Sequence, residues 1–204
     1  MPSVDEIASL LGQKAGKALR FMVGIAGPPG AGKSTIAAAL REAFIAKGES
    51  AIVVPMDGFH FDDAVLNTRG HRLRKGAPFT FDVNGFEVLL KRIKAREADI
   101  AIPVFDRSME LSRAAADIVT DEARFVLVEG NYLLLKQSPW DRLKPLFDFT
   151  MFIDLPEPEL ERRLMGRIVS LGFDETYAKN WIASNDILNI REVQANGAKA
   201  DLVI

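Results

Sequence analysis

Two periodicities alternate along this chain. From Ser3 to Lys17, Val4, Ile7, Leu10 and Leu11 recur at helical spacing behind a Ser3…Glu6 capping pair, which predicts an amphipathic helix. A continuous apolar run from Arg20 to Ala26 then predicts a buried strand. A helical pattern from about Lys33 to Lys47 closes at Gly48, and a second apolar run, Ala51 to Met56, ends at Asp57. Between Gly58 and Pro78 the apolar pattern lapses, predicting a polar loop of about 20 residues, a length uncommon outside functional or disordered segments. Asn84 with Glu87 can cap a helix to about Arg96, followed by strands at Ile100 to Phe105 and, briefly, Ala116 to Thr120. Arg124 to Glu129 and Phe149 to Asp154 predict two further strands. Pro156 and Pro158 open a helix striped by Leu160, Leu164 and Ile168 and ended by Gly172; a helical region from Asp174 to about Asn196 precedes a last apolar run, Leu202 to Ile204.

Strands alternating with helices imply an α/β fold with a mostly parallel sheet flanked by helices. There is no internal repeat, low-complexity tract or Gly/Ser linker, so the 204 residues are expected to form a single domain. Lys and Arg number 26 against 28 Asp and Glu, a net charge of −2, which supplies no positive field for a nucleic-acid partner. With no cysteine, thiolate metal sites, disulfides and Cys nucleophiles are excluded. No apolar run is long enough for a membrane span or signal peptide, so the expectation is a soluble, cytoplasmic protein without a membrane partner, monomeric or homodimeric.

The segment Gly27-Pro28-Pro29-Gly30-Ala31-Gly32-Lys33-Ser34-Thr35 fits the phosphate-binding pattern G-x-x-x-x-G-K-[ST] at every required position, between a strand and a helix as that motif needs. Glycines let successive N–H groups point at phosphate oxygens, and the following helix presents its positive end to the same anion. Lys33 would reach the terminal phosphates and Ser34 would offer a hydroxyl to Mg²⁺, with ATP as the expected phosphoryl donor. By chance the pattern arises in on the order of 1% of chains this long.

Asp57 stands at the carboxyl end of a predicted strand, where it could take a substrate hydroxyl's proton or position a metal; alternatively it is an Asp-Gly turn residue. Glu129 ends another strand where an acid can sit beside the metal, and Asp154 competes for that role. Arg163 and Arg167 share one helix face, suited to a lid over phosphate or to a solvated face paired with Glu157, Glu159 and Glu161. Arg107 and Arg113 are candidates for an anionic or polyhydroxylated substrate, and His60 for a substrate hydrogen bond. Asn185, Asp186 and Asn189 read as residues that cap or interrupt the last helical region.

Taken together, these residues resemble the phosphate-loop kinases that include uridine kinase, phosphoribulokinase and bacterial pantothenate kinase. Asp57-Gly58-Phe59 looks like the pantothenate-kinase acid motif, and Lys75-Gly76-Ala77-Pro78 leading to Phe81-Asp82 looks like that group's K-G-x-P segment. Pro103-Val104-Phe105 and Val128-Glu129-Gly130 are similar in order and spacing. The resemblance implies a three-layer kinase fold with a helical lid at about residues 157–184. It implies nucleotide contacts from Gly27, Pro28, Gly30, Ala31, Gly32, Lys33, Ser34, Thr35 and Arg163, and catalytic roles for Asp57, Lys33, Arg163 and Arg167. Metal contacts would come from Ser34, Glu129 and Asp57, and substrate contacts from Asp57, Phe59, His60, Phe81, Arg107, Glu129 and Tyr132.

The acceptor it implies is a small metabolite bearing a hydroxyl: a sugar, a nucleoside or a pantothenate-like alcohol. Glu110 stands near the position where uridine kinases carry a substrate-holding His, which counts against uridine. The segment Asp106 to Arg113 differs from that of pantothenate kinases, which counts against pantothenate. The chain as a whole is most similar to short bacterial proteins labelled fructose transport system kinases, and that label makes a sugar the lead. The rival classes are a nucleotide-hydrolysing switch, against which stands the absence of an N-K-x-D guanine motif, and a non-catalytic nucleotide-binding module.

Overall fold

A computed structural model describes residues 2–204. Helix α1 (Val4–Ala15) begins with the expected capping box: the Ser3 side chain accepts from the Glu6 N–H while Glu6 accepts from the Ser3 N–H. It buries Ile7, Ala8, Leu11 and Ala15 and leads to β1 (Phe21–Ala26), all of whose residues are buried. Helix α2 (Lys33–Ala46) follows the phosphate loop, and β2 (Ala51–Pro55) runs into a short turn of 3₁₀ helix, Met56–Phe59.

The stretch expected to be an unstructured loop contains a helix, α3 (Asp63–Thr68), and 3₁₀ turns at Arg72–Arg74 and Pro78–Thr80. Six residues are too few to display a helical period, but Asp62 caps the helix through the Ala64 N–H and Leu66 anchors it in the interior. Helix α4 (Val83–Lys94) is capped by Asp82, not by Asn84. The Asn84 side chain instead accepts from Arg142, and Glu87 pairs with Lys91 and Arg142.

Strands β3 (Ile100–Asp106) and β4 (Leu111–Val119) form an antiparallel hairpin outside the main sheet. Most of β4 faces solvent, so it has no apolar signal, and the sequence pattern reveals only its buried end at Val119. Next come β5 (Phe125–Gly130), β6 (Phe149–Phe152), α5 (Glu157–Ser170) and α6 (Glu175–Trp181). A π-helical turn, Ile182–Asp186, joins α6 to α7 (Ile187–Asn196), and β7 (Leu202–Val203) completes the sheet.

The sheet is entirely parallel, in the order β2-β5-β1-β6-β7. Successive residues of its central strand point to opposite faces, so Met22 and Ala26 enter one apolar cluster and Val23 and Ile25 the other. In β5, Val126 and Val128 join the first cluster while Phe125 and Leu127 join the second, where Phe125 stacks on Phe44 of α2 at 3.8 Å between centroids. Helices cover both faces, giving three layers, and each fully buried large apolar side chain stabilises the fold by about 1.5–3 kcal/mol. Arg20 ties the layers at their lower edge by donating to the carbonyls of Ile93, Thr120 and Asp121.

The phosphate loop therefore leaves the central strand at its carboxyl edge. On that edge β2 and β5 run side by side with Pro55 opposite Glu129, which brings Asp57 and Glu129 to the crevice where parallel sheets bind ligands. No helix among the described residues is long and apolar enough to cross a membrane.

Candidate active site

The loop reaches its shape through backbone that other residues would oppose. Gly32 has φ of 96° and precedes α2, whose first turn has no side-chain cap, so its N–H groups remain available to an anion. A Cβ at Gly27 would lie 2.8 Å from the carbonyl oxygen of Ile153, so the loop passes β6 at a distance only glycine allows. Lys33 is 8% exposed and its ammonium donates to the carbonyl of Pro28 at 2.9 Å, across the mouth of the loop. Burial pushes its pKa down to about 8, with Glu129 and Asp57 opposing the shift.

Ser34 Oγ donates to Glu129 Oε1 at 3.1 Å. Burial, and then the neighbouring Asp57 charge, raise the Glu129 pKa above the ordinary carboxylate value. Asp57 Oδ2 accepts from Arg107 Nη2 at 2.7 Å, so the hairpin reaches across to hold this carboxylate. His60 packs on Phe81 and Phe105, with ring centroids 4.0 and 4.9 Å away, and burial lowers its pKa. Its Nδ1 lies 2.8 Å from the Asp57 carbonyl oxygen, which can only accept, so Nδ1 carries the proton and a neutral ring presents Nε2 as an acceptor.

Lys33, Ser34, Asp57, His60, Arg107 and Glu129 border one cleft of about 990 Å³. Its opposite wall comes from α5, α6 and the π turn. Arg163 donates to Glu159 at 2.7 Å and approaches the Ala31 carbonyl at 3.4 Å, while Arg162 also pairs with Glu159 and lies off the cleft. The two guanidinium groups hold the Glu159 carboxyl down to about 2. Arg167 lines the cleft without an ion pair, and its pKa is lowered chiefly by desolvation and then by Arg107. The lid and solvated-face readings thus divide the helix: Arg162 is surface, Arg163 is both paired and facing the loop, and Arg167 faces the cleft.

Most of the expected residues are brought together. Gly30, Gly32, Lys33, Ser34, Thr35, Asp57, His60, Phe81, Arg107, Glu129, Arg163 and Arg167 border the cleft, while Gly27, Pro28 and Ala31 form the loop behind it. Phe59 and Tyr132 are not in the cleft. Phe59 packs on Phe86, and Tyr132 is fully buried against Phe81 and Trp140 with its hydroxyl donating to the Gly76 carbonyl. Both support the wall from behind. Arg113 pairs with Asp106 within the hairpin, and Asp154 accepts from Gln194 away from the site, which leaves Glu129 as the acid beside Ser34.

Sequence reasoning missed the far wall. Asn185 and Asp186 do interrupt the last helical region, in its π turn, and none of the three caps a helix through its side chain; Asn185, Asp186 and Asn189 are also buried and border the cleft, and Phe173, Tyr177 and Trp181 border it as a ladder. Tyr177 stacks on Phe173 at 4.7 Å and on Trp181 at 6.3 Å. The i, i+4, i+8 spacing of these rings is legible in the sequence. Asp186 is 7% exposed, its Oδ2 has no hydrogen-bond partner, and burial pushes its pKa up to about 6.

With this geometry established, comparison with known proteins is direct. Residues 22–182 match the model of the Phosphoribulokinase / Uridine kinase family, and the chain belongs to that family. It is 33% identical over 189 residues to a protein of Escherichia coli strain K12 named "Uncharacterized protein YggC", covering 91% of this chain and 77% of that one. It is 31% identical over 194 residues to "Putative uridine kinase C227.14" of Schizosaccharomyces pombe, covering 91% of this chain and 83% of that protein. Among solved structures, a "putative fructose transport system kinase" from Silicibacter sp. TM1040 superposes with a TM-score of 0.94 at 35% identity, over 100% of both chains. The fold is that of a phosphate-loop kinase.

Proposed function

We propose that the protein transfers the γ-phosphoryl group of ATP to a hydroxyl of a small metabolite: a sugar, a nucleoside or a pantothenate-like alcohol. The observation that carries this reading is the cleft itself, in which an uncapped helix N-terminus and Lys33 share one space with the strand-end acid Asp57. Asp57 takes the proton of the acceptor hydroxyl as its oxygen bonds to the γ-phosphorus, the bond from that phosphorus to the β–γ bridging oxygen breaks, and ADP leaves. Lys33, Arg163 and Arg167 neutralise the charge on the transferring group. Arg107 must yield part of its hold on Asp57 when the acceptor arrives, so it acts as a placeholder for the substrate hydroxyl.

A magnesium ion fits the donor set beside the loop: Ser34 and Glu129 offer hard oxygen ligands, and a carboxylate pushed toward its neutral form by burial regains its charge beside a cation. Bound there with the nucleotide, the ion would neutralise phosphate charge. In the same reading the chain is a single cytoplasmic domain, monomeric or homodimeric, with residues 157–184 as a lid and neither nucleic acid nor membrane as partner.

The test is ADP release with ATP and Mg²⁺ across a panel of sugars, nucleosides and vitamin alcohols, with Lys33→Ala as the blank. The expected result is an acceptor that raises turnover at least about 100-fold. Hydrolysis that no acceptor stimulates would return the protein to the class of nucleotide-hydrolysing switches.

A further inference from the structure

The far wall of the cleft has a recognition chemistry that phosphoryl transfer does not use. Arg74 orients two amides there: its Nε donates to Asn185 Oδ1 at 3.1 Å and its Nη2 to Asn189 Oδ1 at 3.2 Å. Asn185 is then held at both ends of its amide, because its Nδ2 also donates to the Lys75 carbonyl at 2.8 Å. Asn189 is not, since its Nδ2 reaches only Asn185 Oδ1, at 3.5 Å, and an amide nitrogen carries two protons. Three residues earlier in the chain, Asp186 Oδ2 is a buried acceptor with no donor. The wall thus offers a free acceptor on Asp186 and a free donor on Asn189 a helical turn apart.

The charges around it select among ligands. Lys75 and Arg72 are committed to Asp63, Arg107 to Asp57 and Arg163 to Glu159, each at 2.6–2.8 Å. Of the cations bordering the cleft, among the described residues, only Lys33 and Arg167 have no ion pair, and Lys33 closes the phosphate loop. Arg167 lies within electrostatic reach of both Asp57 and Asp186. An anionic acceptor therefore finds no uncommitted cation on this wall except the one suited to phosphate, and a cationic acceptor meets Arg167. A neutral molecule carrying adjacent hydroxyls satisfies Asp186 and Asn189 together. Beside them Tyr177 and Trp181 line the cleft with aromatic surface against which the C–H groups of a saturated ring or polyol chain can pack.

Building on the kinase reading, we propose that Asp186, Asn189 and the Tyr177–Trp181 ladder form the acceptor subsite for an uncharged polyhydroxylated substrate, a sugar or sugar alcohol, with Asp186 and Asn189 reading adjacent hydroxyls. Asp186 is a specificity residue, distinct from Asp57, which takes the proton.

The experiment measures binding apart from turnover. Melting temperature and isothermal titration are followed for the full chain with fructose, ribose, mannitol, single-deoxy analogues of each, uridine, pantothenate and glycerate, for wild type, Asp186→Asn and Asn189→Ala. At least one polyol is expected to raise the wild-type melting temperature, and Asp186→Asn to weaken its binding about 10- to 100-fold, the scale of one charge-assisted hydrogen bond. The matching deoxy analogue should lose a similar factor on wild type and little more on the variant. Because Asp186 Oδ2 has no partner to lose, ligand-free Asp186→Asn should melt no lower than wild type. If it does melt lower, Asn189→Ala carries the same binding comparison.

No shift with any polyol, tight binding of pantothenate or glycerate instead, or polyol binding indifferent to both variants would overturn the assignment. ADP release separates the two readings. Polyol binding that depends on Asp186 without acceptor-stimulated ADP release would keep the subsite and sink the kinase; an anionic acceptor phosphorylated independently of Asp186 would do the reverse.

Discussion

Lys33 gives the sharpest quantitative test of the electrostatics in the cleft. In the ligand-free protein its pKa stands at about 8, because burial costs the ammonium its hydration more than Glu129 and Asp57 restore. A triphosphate brings several negative charges to that nitrogen and returns its pKa toward the ordinary lysine value of about 10.4. Nucleotide binding must then take up a proton: roughly a tenth of one at pH 7, about half at pH 8 and close to nine-tenths at pH 9. The sign follows, because a ligand that prefers the protonated form loses affinity as pH rises through the free-state pKa. Affinity should fall about fivefold between pH 8 and pH 9. Asp186, whose pKa burial raises to about 6, titrates below this window, and His60 is driven neutral by its own burial. Calorimetric titration of ATP in two buffers of different ionisation heat, repeated at the three pH values, reads the proton count directly. Zero uptake at pH 8 with flat affinity to pH 9 would mean that Lys33 is already charged in the empty cleft, and that the Pro28 carbonyl and the nearby carboxylates outweigh its burial.

Further outcomes follow from the same geometry. Asp57→Asn should cut acceptor-dependent kcat by about 10²- to 10⁴-fold, since the amide cannot take the proton; equal loss in acceptor-free hydrolysis would show instead that the nucleotide site is damaged. Asp186 has a folded-state pKa of about 6, raised by burial, so its charge destabilises the ligand-free fold above that pH and the cost fades as pH falls toward the ordinary aspartate value. Melting curves of Asp186→Asn and wild type should therefore converge between about pH 6 and pH 4, and parallel curves would refute this. In β1, a Cβ at Gly24 would sit 2.8 Å from the Phe147 ring, so Gly24→Ala should lower stability by about 1–3 kcal/mol in urea denaturation, and Phe147→Leu should relieve part of that loss.

What the sequence makes legible is what has a period or a fixed spacing. The parallel sheet follows from apolar runs such as Phe125 to Val128, and the phosphate loop from a spacing that admits few alternatives. Asp57 and Glu129 are visible because strand ends are visible. The hairpin's outer strand is hidden because solvent-facing residues such as Ala114 to Asp117 need no apolar pattern, and α3 because one buried leucine suffices to hold six residues. The far wall is hidden for a different reason. A π turn inserts an extra residue into the helical register, so helical spacing alone does not predict that Asp186 and Asn189 are buried beside a cleft. Phe59 and Tyr132 illustrate the converse: proximity to a motif in sequence does not separate residues that touch a ligand from those that brace the ones that do.

The β3–β4 hairpin lies outside the sheet yet is pressed against its acid turn, where a Cβ on Gly58 would collide with the Pro103 carbonyl at 2.3 Å. Asp57 and the root of the hairpin are thereby fixed to each other, while the tip from Asp106 to Leu111 keeps its shape through local hydrogen bonds, such as Ser108 to Asp106, and meets the rest of the cleft through Arg107 on Asp57 and the Glu110 carbonyl, which accepts from Lys75. The tip is thus a cartridge on a rigid mount, plugged in at Arg107 and Glu110. Residues of the tip outside those two contacts can be rewritten, altering what stands before Asp57, without disturbing the core that fixes where Asp57 sits.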